Sequence, residues 1–373
     1  MWIWLPLTVY LLLDATGYLF GGEWQLFWEK YRVTVPLMAI AGLMLLAGKR
    51  ETTAAVFAGM GAAALAVVPA TLFRYFGWNG LSLEYLLRFS LRRDYNMYAT
   101  ALLIGWIGLF FLLLEQNHGG TALVISAVIL PVMLLSGSRR VLLAALVAIP
   151  AATAALLLRR IGRGGIAKGA VGLLVASAAV WCLTLSLEQA LHGLSEDPRS
   201  EQRTVQEGSS VQTAAFERYE TIGDTSLFAK RKVIWRIAVR RLGESSGREW
   251  MLGRGGGENI RLYDRIGAEL DDIYPDRELR LGALSAHNML LADLLDGGLI
   301  KAAVLLWLLA ACGLGSFRTL LADPVRGLAL GMILGYTVAG NLVSNRYGLL
   351  YDRAFLLCYP LLALEAERKD PHE

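Results

Sequence analysis

The run YNMYATALLIGWIGLFFLLLE, residues 95–115, decides the class of fold, because its only charged residue is the last one. A helix needs about 20 apolar residues to cross the hydrocarbon core of a bilayer, and this run has that length. The rest of the chain is similar in character: 55% of its 373 residues are hydrophobic, and the mean hydropathy is +0.47. The sequence therefore predicts an all-α polytopic membrane protein and leaves little room for a soluble enzyme.

Other apolar runs on both sides of this one predict about ten transmembrane helices, within a range of eight to twelve. They are residues 2–20, 33–47, 52–76, 95–115, 121–135, 141–158, 166–189, 287–315, 327–343 and 354–366. The first run has neither a basic segment before it nor a small-residue cleavage site after it, which predicts a retained span rather than a signal peptide. The last run is short for a bilayer core of about 30 Å.

One long polar segment, residues 191–286, separates the seventh predicted span from the eighth. It is mixed in charge and contains almost all of the long-loop material. Large loops without a role are uncommon, and polar groups can be arranged for chemistry outside the hydrocarbon. The expected division is therefore residues 1–190 with helices one to seven, a partly helical periplasmic loop domain at 191–286, and residues 287–373 with helices eight to ten.

The lysines and arginines of the short loops do not decide the orientation. If the long loop faced out, ten would lie inside, including Arg326, and eleven would lie in outer segments, including Lys30 and Lys301. The dense cluster RRIGRGGIAK, residues 159–168, is typical of a cytoplasmic anchor. This cluster places the long loop outside, on the same face as Arg92 and Arg139 by the parity of the spans. Basic residues on the unfavoured face need another reason to be there, and an anionic ligand supplies one.

Several classes of function find no support in the sequence. The net charge of +4 is small for this length and implies no nucleic-acid partner. Cys182, Cys312 and Cys358 form no CxxC pair, so neither a disulfide framework nor a zinc site is predicted. Asp271 and Asp272 are expected to belong to a solvated acidic loop rather than to a cation site. Motifs of metalloproteases and serine hydrolases are absent from the sequence.

Two arginines open a predicted helix within LLSGSRRVLLAAL, residues 134–146. Ser138 ends a tight turn, and Arg139 and Arg140 begin the next span. Positive charge at a helix N-terminus opposes the helix dipole, so these side chains are poorly placed for stability alone. Two interpretations stay open: the guanidinium groups and the free N–H groups bind a phosphate, or both arginines extend to lipid headgroups.

The long loop contains a basic amphipathic segment, SLFAKRKVIWRIAVRRL, residues 226–242. Its basic side recurs at every fourth residue, at Lys232, Arg236 and Arg240. Trp235 lies on another side, and the pattern is typical of a helix in the headgroup layer. Arg231, one turn before Trp235, is either a nonspecific membrane contact or a second ligand of the anion at Arg139.

The glycine-rich stretch MLGRGGGENI, residues 251–260, follows in the same loop. It lacks the Gly-Lys-Ser/Thr ending of a phosphate-binding P-loop and follows no predicted strand. We expect a flexible turn with an accessible backbone around Gly253 and Gly255, with little catalytic specificity of its own.

A histidine and an asparagine begin the apolar run SAHNMLLADLLDGGLI, residues 285–300. Imidazole titrates at about pH 6.5, so His287 can accept a proton from a hydroxyl, and Asn288 can orient it or a sugar. A lone histidine at a helix start is more often structural, so a polar cap is the other interpretation. Asp293 and Asp296 are expected to be helix-entry residues at the membrane interface.

The order of these motifs resembles the O-antigen ligase and polymerase superfamily of bacterial inner-membrane glycosyltransferases. The resemblance covers residues 134–300. It rests on a Ser-Arg turn, an arginine four residues before a tryptophan, a glycine-rich turn, and a His-Asn pair followed by a leucine and a glycine. In this chain these are Ser138 with Arg139, Arg231 with Trp235, Gly253 with Gly255 and Gly257, and His287 with Asn288, Leu291 and Gly298. Arg254, at a position that is usually small or apolar, departs from the pattern, as does a count of only ten spans.

The resemblance implies a GT-C-like enzyme of the bacterial inner membrane with its active site facing the periplasm. It implies transfer of a glycan from undecaprenyl pyrophosphate to a sugar hydroxyl, with inversion and with no metal or cofactor. His287 would be the general base, and Arg139, Arg140 and Arg231 would bind the pyrophosphate. The supporting residues would be Ser138, Trp235, Asn288, Gly253 and Gly255.

Two subfamilies share this chemistry, and both act on lipid-linked glycans and contact membrane lipids. An O-antigen ligase, which we favour slightly, transfers the glycan to lipid A-core in lipopolysaccharide biosynthesis, whereas an O-antigen or exopolysaccharide polymerase joins lipid-linked repeat units. A transporter or flippase of an anionic lipid-linked substrate is the alternative from another class. It predicts charges deep within the spans, whereas the spans here are nearly free of charge apart from Asp14, near the end of one span.

Overall fold

The computed structural model describes residues 3–47, 50–73, 95–160, 226–266, 285–343 and 348–366. Within these ranges the chain is helical apart from turns and short connections, and it forms no β-strand there. The helices are α1 Trp4–Phe20, α2 Trp24–Ala47, α3 Arg50–Leu72, α4 Tyr95–Glu115, α5 Gly119–Leu134, α6 Arg139–Arg160, α7 Ser226–Gly243, α8 Gly247–Leu252, α9 Glu258–Arg265, α10 Met289–Ala322, α11 Pro324–Val343 and α12 Arg353–Ala366, with a 3-10 helix at Leu349–Tyr351.

Four helices of the described ranges are long and apolar enough to cross a membrane. They are Glu51–Leu72 of α3, the whole of α4 and α10, and Pro324–Leu342 of α11. The apolar helices α1, α5 and part of α6 are shorter. A helical membrane protein is thus confirmed, and α4 has the bounds that its apolar run predicted. The predicted span at residues 166–189 lies outside the described ranges.

The chain forms two compact units. The first combines Met1–Thr52 with Asp224–Glu373, and the second is Thr53–Gly223. The N-terminal helices therefore share a unit with the helices of the long loop and with the C-terminal helices. The predicted division at residues 190 and 286 follows chain order and stays a prediction.

In the second unit, small residues let α3 and α4 approach each other closely. A Cβ added at Gly105 of α4 would lie 2.5 Å from the Cβ of Ala64 on α3. The buried Trp106 on α4 donates its indole N–H to the Ser126 hydroxyl on α5 at 2.8 Å. Close small-residue contacts and interhelical hydrogen bonds are characteristic of helices packed within a membrane.

In the first unit, α10 is broken at Gly298, whose φ of 64° and ψ of −160° are not helical. The break separates a short segment, residues 289–297, from a longer one, residues 299–322. They are called the first half and the second half of α10 below, although their lengths differ. α10 contacts α1, the loop helices α7, α8 and α9, and the C-terminal helices α11 and α12. The broken helix is therefore the element around which the first unit is assembled.

Candidate functional site

The His-Asn pair lies at the start of α10, and its two members differ in what they do there. The Asn288 side chain accepts hydrogen bonds from the backbone N–H groups of Leu290 and Leu291, at 3.0 and 3.1 Å. Asn288 is therefore the N-cap of the helix. His287 is half-buried and has a φ of 47°, in the left-handed region that few non-glycine residues adopt. The cap interpretation thus applies to Asn288, whereas His287 is held just before the helix.

Trp235 supports the peptide that carries His287. Its indole N–H donates to the Ala286 carbonyl at 3.1 Å, and the His287 backbone N–H donates to the Ser285 hydroxyl at 3.3 Å. Ser285 and Ala286 are both fully buried. The segment before His287 is therefore fixed by a tryptophan from α7 and by its own buried serine.

The apolar side of α7 packs within the protein. Ile234 and Ala238 are buried in a cluster with Tyr263 of α9 and with the residues that begin α10. The Tyr263 hydroxyl also donates to the Ile234 carbonyl at 2.8 Å. The basic side is exposed as predicted, at Lys232, Arg236 and Arg240. The structure differs from the expected helix in the headgroup layer, because its apolar side is already covered by α9 and α10.

The glycine-rich turn lies against the break in α10. The backbone N–H groups of Arg254 and Gly255 donate to the carbonyls of Leu295 and Asp296, at 2.9 and 3.0 Å. These two carbonyls lie near the end of the first half of α10, where the break interrupts the hydrogen bonds of the helix. The turn therefore supplies donors from outside the helix to carbonyls at the break.

The glycines permit a close approach of three backbone segments. The Gly256 N–H donates to the Gly17 carbonyl of α1 at 2.9 Å, and a Cβ at Gly256 would lie 2.5 Å from the Tyr18 nitrogen. A Cβ at Gly298 would lie 2.5 Å from the Gly253 nitrogen. The turn also needs the positive φ values that favour glycine, at Gly253, Gly255 and Gly257. The expected accessible backbone is therefore not observed, because the turn is packed between α1 and α10.

Arg254, which departs from the motif of the superfamily that the sequence resembles, connects this turn to the loop helices. Its guanidinium donates to the Ser245 hydroxyl at 3.3 Å and to the Glu244 carbonyl at 3.2 Å, and it lies 3.1 Å from Glu249. The backbone N–H of Ser246 donates to the same Glu249 carboxylate at 2.8 Å, and this hydrogen bond lowers the pKa of Glu249. The Arg254 guanidinium thus has its ion-pair and hydrogen-bond partners within the loop.

A buried glutamate lies close to three arginines, one on α7 and two on α9. Glu258 is 3% exposed, and its carboxylate lies 2.5 Å from Arg265, 3.3 Å from Arg241 and 3.7 Å from Arg261. Arg261 also lies 2.6 Å from Glu23, just before α2. These three arginines all have carboxylate partners within the protein, so the cluster holds the loop helices together rather than offering an uncompensated anion site.

Charged side chains lie buried between α1, α2 and α10. The Lys301 ammonium lies 2.7 Å from Asp14 and 2.9 Å from Asp293. The Lys30 ammonium lies 2.7 Å from the same Asp14. The Tyr10 hydroxyl donates to Asp293 at 2.5 Å. The four charged residues are no more than 3% exposed, so two lysines and two aspartates neutralise each other away from water.

This arrangement corrects the expectation for the two aspartates of α10. Asp293 and Asp296 are only 3% and 4% exposed, so neither lies at an exposed helix entry. Asp296 accepts hydrogen bonds from the backbone N–H of Asn259 at 2.8 Å and from its side-chain amide at 3.3 Å. Both carboxylates therefore take part in contacts between the broken helix and other elements.

Asp14 is also not the only charge within the apolar helices. Lys30 and Lys301, which the sequence count placed in outer loops, are buried beside it. Arg326, counted on the inner side, is buried and lies 2.7 Å from Glu365. Cations with buried partners inside the protein carry no information on which side of the membrane they face, so the basic-residue count becomes weaker evidence for orientation.

The Ser-Arg turn belongs to the second unit. Gly137 has a φ of 69°, and the Ser138 hydroxyl donates to the side-chain carbonyl of Asn96 at 2.9 Å. α6 begins at Arg139, as predicted, and the Arg140 side chain is half-buried. The turn thus places two arginines at a helix start, where their position has no benefit for helix stability.

The predicted site residues are divided between the two units. In the first unit, Trp235 contacts the peptide that precedes His287 and Asn288, whereas the glycine turn lies against the break at the other end of residues 289–297. Arg231 lies on α7 one turn before Trp235. The side chains of Arg231 and Arg139 lie outside the described part of the chain, and their roles stay predictions.

Metal-binding groups are not found in the described part of the chain, where no three His, Cys, Asp or Glu side chains come together to hold an ion. Asp271, Asp272 and Cys182 lie outside that part. Cys312 and Cys358 are buried free thiols. The polar side-chain groups described around α10 are imidazole, indole, hydroxyl, carboxylate, ammonium and guanidinium groups.

Comparison with protein-family models finds no match to this chain, and comparison with curated proteins finds no similar sequence. The resemblance drawn from the order of the motifs is therefore not tested by relatives. The features that support a function are the geometry around His287 and the start of α6, where Arg139 and Arg140 lie.

Proposed function

We propose that this protein is a membrane glycosyltransferase that moves a glycan from a polyprenyl-diphosphate donor to a sugar hydroxyl. The observation that carries the proposal is the presentation of His287. Its backbone is left-handed, Asn288 rather than the imidazole caps the helix, and Trp235 holds the preceding peptide. A residue kept in a costly backbone conformation, next to a helix that its neighbour caps, suggests a use other than folding.

His287 is the general base in this proposal. The oxygen of the acceptor hydroxyl forms a bond to the anomeric carbon of the donor, and its proton passes to the imidazole. The bond between the anomeric carbon and the pyrophosphate oxygen breaks, and its electron pair leaves with the pyrophosphate. Attack opposite the leaving group inverts the anomeric configuration. The donor is already activated, so the step requires no metal or cofactor.

Arg139, Arg140 and Arg231 bind the pyrophosphate as negative charge develops on it. Positioned donors at a developing charge are worth roughly 3 kcal/mol each. The start of α6 supports this role, because backbone N–H groups at a helix N-terminus bind phosphate together with guanidinium groups. Ser138 stabilises that turn, and Gly253 and Gly255 support the helix that carries His287.

The enzyme is GT-C-like, has about ten transmembrane helices, and lies in the bacterial inner membrane with the long loop and the active site on the periplasmic side. We favour an O-antigen ligase, which transfers the glycan to lipid A-core, over a polymerase. A deletion strain separates the two: lipid-linked long chains accumulate if the protein is a ligase, and single repeat units accumulate if it is a polymerase.

The direct test is a transfer assay with purified full-length protein, an undecaprenyl pyrophosphate-linked glycan and a sugar acceptor. His287→Ala is expected to lower turnover by about 10²- to 10⁴-fold, with donor binding unchanged, because only the proton acceptor is lost. Arg139→Ala is expected to weaken donor binding as well as turnover. The matched control is His118→Ala, since His118 is an exposed histidine at the start of α5. If the His287→Ala variant transferred glycan at the wild-type rate, His287 would not be the general base.

A second candidate, a transporter of an anionic lipid-linked substrate, is favoured by one observation. The buried lysines and aspartates around Asp14 are the kind of intramembrane charge that a transport pathway uses. Proteoliposomes that contain the lipid-linked glycan separate the candidates: movement of the intact lipid between leaflets without transfer to an acceptor supports the transporter. Transfer without such movement supports the glycosyltransferase.

A further inference from the structure

Lys301 joins the two halves of the broken helix α10. It lies three residues after Gly298, on the second half of the helix. Its side chain passes over Gly297, where an added Cβ would lie 2.5 Å from the Cβ and Cδ of Lys301. Its ammonium then lies 2.9 Å from Asp293 on the first half. An ion pair thus spans the point at which the helical hydrogen bonds are interrupted.

The same ammonium ties both halves to the N-terminal helices. Lys301 lies 2.7 Å from Asp14 of α1, which also accepts a hydrogen bond from Tyr31 of α2 at 2.8 Å. The ammonium lies 5.8 Å from the centre of the Tyr10 ring, whose hydroxyl donates to Asp293. Lys301 is therefore the cation shared by the carboxylates of α1 and of the first half of α10.

The first half of α10 is tied at both ends. Near its end, Asp296 accepts from the backbone N–H of Asn259 at 2.8 Å. At its start, the side-chain oxygen of Asn259 accepts from the backbone N–H of Ala286 at 3.5 Å, directly before His287. Residues 289–297 span roughly 13 Å as a helix. This short helix thus has His287 at one end and the break at the other.

We propose that Lys301 is a positioning residue for His287. By holding Asp293 and Asp14 together, it fixes the direction of the first half of α10 and so the point at which the imidazole is presented. Without the ammonium, Asp293 loses the cation beside it and keeps only the Tyr10 hydroxyl, whereas Asp14 keeps Lys30. The repulsion between the two buried carboxylates is then no longer screened by a shared cation, and it displaces the half-helix. The inference rests on the proposed function in taking His287 as the reacting group.

The test follows the chemical reactivity of His287 in the full-length protein in detergent micelles. Acylation by diethyl pyrocarbonate is measured for each histidine by mass spectrometry, which is practical because the chain has only four. Lys301→Met is expected to change the acylation rate of His287 about tenfold, because a displaced half-helix alters its exposure. The rate at His118, in the other unit, is expected to stay unchanged. In the transfer assay the same variant is expected to lose about 10²-fold in kcat with the KM for donor unchanged.

The matched control is Arg326→Met, which removes a buried cation of the same unit from its carboxylate partner Glu365, at 2.7 Å, away from the break. It is expected to destabilise the protein without changing the acylation of His287. Tyr10→Phe is a milder variant, useful if Lys301→Met does not fold. It removes one hydrogen bond to Asp293 and is expected to change the His287 rate in the same direction, by less.

Two results would overturn the proposal. One is a wild-type acylation rate at His287 in the folded Lys301→Met protein, or in Tyr10→Phe where Lys301→Met does not fold. The other is an equal change in Arg326→Met, which would indicate general loosening. Acylation needs no glycan, so it reports on positioning even where the wild-type protein transfers none. An unchanged His287 rate in a protein that does transfer glycan removes the role of Lys301 and leaves the proposed function intact.

Discussion

Asn259 holds Asp296 by two hydrogen bonds, one from its backbone N–H at 2.8 Å and one from its side-chain amide at 3.3 Å. Both residues are at most 4% exposed. A buried carboxylate needs such donors, because its desolvation costs more than an ordinary hydrogen bond returns. This contact therefore joins the loop helix α9 to the first half of α10 and explains how a charge is tolerated inside an apolar helix.

Asn259→Ala is expected to lower the free energy of unfolding by about 2 kcal/mol, because Asp296 loses one donor and keeps its charge. The backbone N–H stays available, so the loss is smaller than for a carboxylate left without any donor. Denaturant unfolding followed by tryptophan fluorescence measures the change. The double variant Asn259→Ala with Asp296→Asn should recover part of the stability, and strictly additive losses would contradict the coupling.

The break in α10 gives a second prediction, which compares two glycines of the same helix. A Cβ at Gly298 would lie 2.5 Å from the Gly253 nitrogen and would require φ of 64°, whereas a Cβ at Gly313 has no atom within 4 Å. Gly298→Ala is therefore expected to destabilise the protein by more than about 2 kcal/mol. Gly313→Ala is expected to be neutral or to stabilise it by up to about 1 kcal/mol. Thermal unfolding of the two variants measures the contrast, and equal effects would show that α10 is continuous.

A third prediction concerns the ion pair between Arg326 of α11 and Glu365 of α12. Both are buried, and their closest atoms lie 2.7 Å apart. Arg326→Met should cost about 3–5 kcal/mol, because it removes the buried cation that lies 2.7 Å from the Glu365 carboxylate and leaves that charge inside the protein. Arg326→Met with Glu365→Leu should be near wild type or more stable, because the desolvation cost disappears with the charge. Unfolding midpoints test this, and a double variant no better than the single one would contradict it.

The helices of this fold could be predicted from the sequence, because burial in lipid imposes long apolar runs. Residues 95–115 form α4 as predicted, and α6 begins at the predicted arginine. Such patterns are local, so they appear within about 20 consecutive residues. The charge clusters could not be predicted in the same way, since Asp14 and Lys301 are far apart in sequence and meet only through the packing of α1 on α10.

A usable signal for the buried cluster was nevertheless present. Asp293, Asp296 and Lys301 all fall in one apolar run, and charges in such a run must find partners inside the protein. A loop position for the lysine and interface positions for the aspartates leave these opposite charges unpaired, whereas Lys301 lies 2.9 Å from Asp293 in the structure. The prediction of an accessible backbone at the glycine turn is wrong for a similar reason: the close approach of α1 and α10 depends on tertiary contacts that no local pattern encodes.

The backbone of His287 gives the last prediction, which separates stability from function. At most positions alanine is more stable than glycine, because glycine loses more conformational freedom on folding. At a left-handed residue the order reverses, since a Cβ there costs about 1–2 kcal/mol. With φ of 47° at His287, His287→Gly should be roughly 1 kcal/mol more stable than His287→Ala, as measured by denaturant unfolding.

The matched control is Arg236, an exposed helical residue on α7. Its two variants should keep the ordinary order of stability, with the free energy of unfolding of Arg236→Ala about 1 kcal/mol higher than that of Arg236→Gly. Both His287 variants should lose glycan transfer equally, since the imidazole is absent from each. A more stable His287→Ala would contradict the left-handed conformation. Transfer retained by the stable His287→Gly would instead show that the strained backbone serves some purpose other than presenting a base.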